Sequence, residues 1–251
     1  PLWMLLGGKL TDGAPMYRVA PQKSALETQE ELERHRAAGY RQFQIKVGAD
    51  WRGDIERIQH VLPLLKPGEK AMADANQGWL IDDAKRVAQA TRDLDYIFEQ
   101  PCRTYEECQQ VRPLVSQPMK LDECITGMDV AQRIVHDRGA EICCLKISNL
   151  GGLSKARRVR DFLVDNRIPV VAEDTWGGEI TSAAVAHFAA STPENLLVNS
   201  TDLMNYNARS TGVGGPTVAE GKLYASDTPG LGVVPDFESL GEPVAIYGGH
   251  G

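Results

Sequence analysis

Short runs that are apolar throughout, or that alternate apolar with polar residues, recur along the chain. Each is followed by a stretch whose apolar positions return every three or four residues. Eight such runs are "MYRVA" (16–20), "RQFQIKVG" (41–48), "KAMADAN" (70–76), "DYIFEQP" (95–101), "PMKLDEC" (118–124), "EICCLKIS" (141–148), "IPVVAEDT" (168–175) and "LLVNSTD" (196–202). A period of two, or a short solid apolar run, predicts a strand; the 3.6-residue period after it predicts a helix. "ALETQEELERHRAAG", closed by Gly39, and "GGLSKARRVRDFLVDN" are the clearest helices. Eight strand-then-helix units predict an α/β fold with a parallel sheet closed into a (β/α)8-type barrel. The competing open, doubly wound sheet lacks support, since no GxGxxG turn follows the first strand.

Alternation assigns faces. In strand two, Gln42, Gln44 and Lys46 share one face against Phe43, Ile45 and Val47. In strand three Met72, Asp74 and Asn76 share a face. Glu99 lies with Ile97 in strand four, Asp122 with Lys120 in strand five, and Lys146 with Cys144 in strand six. In a barrel this polar face points inward, and its last residue reaches the C-terminal mouth. Spacings of 28, 25, 23, 24 and 28 residues separate Lys46, Asp74, Glu99, Asp122, Lys146 and Asp174, one βα unit each time. The six are expected around one opening.

Asp74, Glu99 and Asp122 come from neighbouring strands, and three converging carboxylates repel unless a hard cation lies between them, for which Mg2+ is the natural candidate, one per chain. Lys46 and Lys146 flank that arc and are expected to be the acid and base, with pKa values lowered by the cation and by each other. Gln44 and Asn76 share the ligand faces; Gln44 is expected in a supporting role, and Asn76 either in a supporting role or in the turn after the strand. Glu123 points away from the mouth and is expected to support a lysine rather than bind metal. Asp174 could orient Lys146, meet a substrate amine or cap the next helix; Trp176 could pack or offer its ring to a substrate ammonium. Cys144 and Cys102 read as packing thiols, because sulfur is a poor Mg2+ ligand, and His187 as a core or interface residue.

Composition narrows the partners. The chain has 251 residues, a formal net charge of −7 and no basic run, which argues against nucleic acid. No stretch has the length of a membrane span. Five cysteines without a CxxC pair fit reduced thiols and a cytoplasmic location. Residues 1–15 are expected to be a linker, 16–203 the barrel, and 204–251, rich in Gly, Pro and Asp, an irregular C-terminal extension over one end of the barrel.

The motifs resemble one family across the whole barrel. "FQIKVG" is similar to the strand-two lysine motif of the mandelate racemase/muconate lactonizing enzyme branch of the enolase superfamily. "ADANQGW", "FEQPC" and "LDEC" are similar to its three metal-ligand motifs, and "CLKISNLGG" to its strand-six lysine. A lysine at strand six, with no histidine in "AEDTWGG", resembles the muconate lactonizing type. Gln44 departs from the usual Lys-x-Lys, leaving Lys46 as the matching base. The resemblance implies a TIM-type (β/α)7β barrel, a linker left by an N-terminal capping domain, an extension that packs over the barrel or the cap, a homo-oligomer and a small carboxylate substrate. It also implies Mg-dependent removal of an α-proton to give an enediolate. "EDTWGGEI" and "QIKVG" look most like enzymes of proline derivatives, a cis-3-hydroxy-L-proline dehydratase or an epimerase of proline betaines; a cycloisomerase is the other possibility within the family. Outside that chemistry stand an aldolase-like Schiff-base lysine and an inactive metal-binding barrel fragment.

Overall fold

The computed structural model describes residues 1–20 and 23–245. Eight parallel strands lie side by side in chain order: β1 (Tyr17–Ala20), β2 (Gln42–Lys46), β3 (Lys70–Asp74), β4 (Ile97–Glu99), β5 (Met119–Leu121), β6 (Ile142–Lys146), β7 (Val170–Glu173) and β8 (Leu197–Ser200). A single parallel bridge between Met16 and Ser200 brings β8 back to β1, so the sheet is a nearly closed barrel. The connections are α1 (Ala25–Ala37), α2 (Trp51–Val61), α3 (Ile81–Ala90), α4 (Tyr105–Val111), α5 (Met128–Asp137), α6 (Leu153–Asp165) and α7 (Glu179–Ala190). Eight strands and seven connecting helices make the expected (β/α)7β barrel. After β8 comes a short 3-10 turn, Leu203–Tyr206.

Local chemistry sets several helix starts. Ser24 and Thr104 each form a reciprocal capping box with the glutamate three residues on, Glu27 and Glu107, and the Asp50 carboxylate accepts from Gly53 N–H to open α2. The strands sort their side chains as the alternation requires. Phe43, Ile45, Ala71, Ala73, Phe98, Met119, Leu121, Leu145, Val170 and Ala172 pack outward with the helices in one large core. Tyr17, Met72, Ile97, Ile142, Cys144 and Val171 form a separate cluster inside the barrel. That inner plug floors the mouth, so polar residues above it are held on a packed base rather than around a pore.

The segment after β8 is more regular than its composition suggests. Gly212–Gly214 pairs antiparallel with Val233–Pro235, and Thr217–Ala219 with Lys222–Tyr224, which also pairs with Ala14–Pro15. These short ladders pack on α7. Glycine turns make them possible: a Cβ on Gly39, whose φ is +93°, would lie 2.3 Å from the Glu220 carbonyl carbon. Residues 246–251 of the expected extension lie outside the described residues. Among the described residues no helix is long and apolar enough to cross a membrane, and all five cysteines are free.

Candidate active site

Register aligns the charged strand ends. Lys46 stands opposite Asp74, Asp74 opposite Glu99, Glu99 opposite Lys120, and Lys146 opposite Glu173. Lys46, Asp74, Glu99 and Lys146 are the last residues of their strands, as the spacing predicts. Asp122 follows the end of β5 and keeps the inward parity of Lys120.

Each expected metal ligand is paired with a lysine. Lys46 Nζ lies 2.6 Å from Asp74 Oδ2, Lys120 Nζ 2.6 Å from Glu99 Oε1, and Lys146 Nζ 2.7 Å from Asp122 Oδ2. Gln44 Nε2 donates to Asp74 Oδ2 at 3.1 Å and reaches Glu99 Oε2 at 3.5 Å, so it links two of the three acids. Asn76, in the left-handed region at φ 42°, donates its backbone N–H to Asp74 Oδ1. Its side chain accepts from Lys46 Nζ at 2.8 Å and donates to Glu123 Oε1 at 2.9 Å. Glu123 thus supports a lysine at one remove, through Asn76. The buried Gln100 accepts from Asp122 N–H at 2.7 Å and fixes the backbone that carries this acid.

Two expectations change in detail. β7 ends at Glu173, and the inward strand-seven position belongs to it, not to Asp174. Glu173 accepts from Tyr17 Oη at 2.7 Å and from Cys144 Sγ at 3.0 Å. Asp174, one residue on, turns to the loops, accepting from Thr175 N–H at 2.8 Å and from the Ser148 N–H and hydroxyl. It fastens the loop after β7 to the loop after β6. Trp176 is 59% exposed at the mouth, its ring 5.9 Å from that of Tyr206. The second change concerns charge. Burial pulls the Lys146 ammonium down, but Asp122 and the other anions around it outweigh this and hold it above its ordinary value. The lowered value expected at that lysine depends on a cation engaging those carboxylates.

The acids show the strain of their crowding. Burial, then the charge of Asp74, pushes the Glu99 carboxyl up to about 8 against the pull of Lys120. Burial and Glu173 push Asp122 to about 7. Among the described residues the buried Asp122 Oδ1 accepts no hydrogen bond. Crowded, desolvated carboxylates with an orphaned oxygen are a donor set that a hard divalent cation suits. Among the described residues the group whose ligand atoms all lie within 4.8 Å of one another is Asp122, Cys144 and Glu173. Asp74 and Glu99 are drawn aside by Lys46, Gln44 and Lys120.

A model of the enolase C-terminal domain-like family matches residues 27–240. The chain belongs to that family. This enolase-like barrel is 42% identical over 247 residues to a cis-3-hydroxy-L-proline dehydratase of Roseibium aggregatum, covering 98% of this chain and 67% of the relative. It superposes with a TM-score of 0.96 on a mandelate racemase/muconate lactonizing enzyme from Roseovarius nubinhibens ISM, at 80% identity, covering 98% of this chain and 68% of the other. A TM-score of 0.91 at 32% identity relates it to an enolase superfamily member of Roseovarius nubinhibens ISM complexed with magnesium, covering 98% and 67%. The enolase-like barrel thus spans about two thirds of the length of these relatives. It is an enzyme of the lyase or isomerase kind, with a dehydratase-like function.

Sequence reasoning gave no site role to Glu173, Lys120 or Tyr17 in this enolase-like chain. Parity could have found two of them: Glu173 alternates with inward Val171, and Lys120 with Asp122. The 28-residue spacing favoured Asp174 because it measured from strand end to strand end and ignored parity.

Proposed function

We propose that this chain removes the α-proton of a cyclic β-hydroxy amino acid and expels the β-hydroxyl as water, with cis-3-hydroxy-L-proline as the substrate. The observation that carries this is the placement of Lys46 and Lys146. They close β2 and β6, four strands apart in an eight-stranded barrel and so on opposite sides of the mouth, while Asp74, Glu99 and Asp122 occupy the three strands between them.

In the cis isomer the hydroxyl lies on the same ring face as the carboxylate, so the α-hydrogen lies on the other. Elimination is then anti, and needs a base on one face and an acid on the other. Two opposed lysines meet that requirement. One takes the Cα proton; the electron pair forms the Cα–Cβ double bond as the Cβ–O bond breaks; the other gives its proton to the departing oxygen. Asp74, Glu99 and Asp122 would hold one Mg2+. When bound it supplies positive charge against the negative charge that develops on the substrate carboxylate. Asn76 and Glu123 keep Lys46 in place, Gln44 spaces Asp74 from Glu99, Asp174 fixes the loop beside Lys146, and Trp176 presents its ring to the substrate's ammonium. Identity to a dehydratase favours elimination over epimerisation, which the same lysine pair could perform by taking a proton from one face and returning one to the other.

The test is NMR of cis-3-hydroxy-L-proline in D2O with Mg2+ and the chain, beside Lys46→Ala and Lys146→Ala. Loss of the ring hydroxyl carbon signal, abolished in both variants, is expected. Deuterium at Cα with the ring hydroxyl retained would replace dehydration by epimerisation. No change in the substrate would remove the proposal.

A further inference from the structure

Inside the barrel, a cluster that shares Asp122 with the lysine-paired acids has a different chemical character. Asp122, Cys144 and Glu173 come from three strands, β5 to β7 or their ends, and bring ligand atoms within 4.8 Å of one another. All three are buried. Asp122 Oδ2 is paired with Lys146, but among the described residues its buried Oδ1 has no hydrogen-bond partner, which leaves one oxygen of this carboxylate open to a further positive ligand. Tyr17 Oη donates to Glu173 at 2.7 Å and sets the direction of that carboxylate, as an outer partner does for a metal ligand. Among the described residues Glu173 has no direct ion pair; its two hydrogen-bond partners are the Tyr17 hydroxyl and the Cys144 thiol, and the Lys120 and Lys146 ammoniums act on the cluster only through their charge.

A thiol is the wrong donor for Mg2+ and a good one for a softer, borderline ion. We propose that Asp122, Cys144 and Glu173 form a second cation site inside the barrel that takes zinc-class divalent ions. On binding, the Cys144 S–H bond breaks, the sulfur keeps the electron pair and donates it to the ion, and the proton leaves to solvent. The carboxylates are its two oxygen donors, and water can complete a four-coordinate shell. Asp122 belongs to both this site and the Mg2+ site of the reading above, yet the soft site stands on its own geometry and its test does not depend on turnover.

The experiment is titration of the metal-stripped chain with Cd2+, a spectroscopic substitute for Zn2+, following the ultraviolet sulfur-to-cadmium charge-transfer band. Oxygen donors give no such band, so cadmium at Asp74 and Glu99 is silent. The expected result is one band-forming Cd2+ per chain, lost in Cys144→Ser and retained in Cys124→Ser, which removes the half-buried thiol. Glu173→Gln keeps the thiol and the side-chain shape and is expected to weaken the band-forming binding at least about tenfold. A missing band in the native chain, a band that survives Cys144→Ser, or unchanged affinity in Glu173→Gln would each overturn the site. Circular dichroism of Cys144→Ser verifies its fold; should it fail to fold, Glu173→Gln decides alone.

Discussion

Gln44 is where this chain departs from the Lys-x-Lys pattern its family motif resembles, and its contacts show what a neutral amide does there. It touches both Asp74 and Glu99 without adding charge, while the buried cation beside Glu99 comes instead from Lys120, one residue layer inward of Asp122. Gln44→Leu is expected to weaken Mg2+ binding by about ten- to a hundredfold, the usual effect of removing a partner that orients a ligand, measured by calorimetric titration; unchanged affinity would show that Gln44 does not orient these acids. At this scale the sequence was a good guide wherever a residue closes its strand, since periodicity then fixes both face and depth. Lys46, Asp74, Glu99 and Lys146 are of that kind. It failed at β7, where the strand is one residue shorter than the apolar run and its flanking acids imply. Parity with the inward Val171, and the register of Lys146 against Glu173, show which of two adjacent acids faces inward.

The connections after β2 and β3 are held by one buried carboxylate. Asp54, in the first turn of α2, accepts from Gly48 N–H at 2.8 Å and from Trp79 Nε1 at 2.9 Å, and its neighbour Arg57 donates to the Lys46 carbonyl at 2.7 Å. Gly48 packs its Cα so tightly on Ala75 that an added Cβ would stand 2.3 Å from the carbonyl oxygen. The backbone on either side of Lys46 is thereby fixed from a helix, away from the mouth. Asp54→Ala strands the Trp79 and Gly48 donors in the interior, and a loss of about 3 kcal/mol in urea unfolding is expected. A fall below about 1 kcal/mol would mean that water replaces the carboxylate. Strands and helices were legible because each carries its own period and several carry their own caps. The short ladders of 212–235 were not, because glycines and three-residue pairings leave no period to read, and their order comes from packing against α7.

At the scale of the molecule, His187 of α7 joins the two ends of the described chain. Its Nδ1 accepts from Trp3 N–H at 3.3 Å and its Nε2 donates to the Leu231 carbonyl at 3.1 Å. Burial lowers its pKa below the ordinary value of about 6.5, so the unfolded chain takes up this proton before the folded one. Its contribution to stability is therefore lost as pH falls through and below that ordinary value. Glu99 and Asp122, raised in the folded state, act in the opposite sense. The expected observation is that the melting temperature of the native chain drops more between about pH 7 and about pH 5.5 than that of His187→Gln, which cannot titrate; parallel slopes would remove His187 from the account.

The closure of the barrel is uneven. Among the described residues, seven of its eight strand junctions are ladders of two or more register pairs, whereas β8 meets the residue before β1 through one backbone pair, Met16 and Ser200, beside the side-chain tie of Arg18 to Asp202. A wall laced by backbone ladders everywhere but at this seam, where one backbone bridge and one ion pair hold, opens there first. Hydrogen–deuterium exchange should find amides along β1 and β8 trading with solvent well before those of β2 to β4, and the first sub-global opening of the native state would then unhinge Tyr17 from Glu173 while leaving the arc of lysine-paired acids intact.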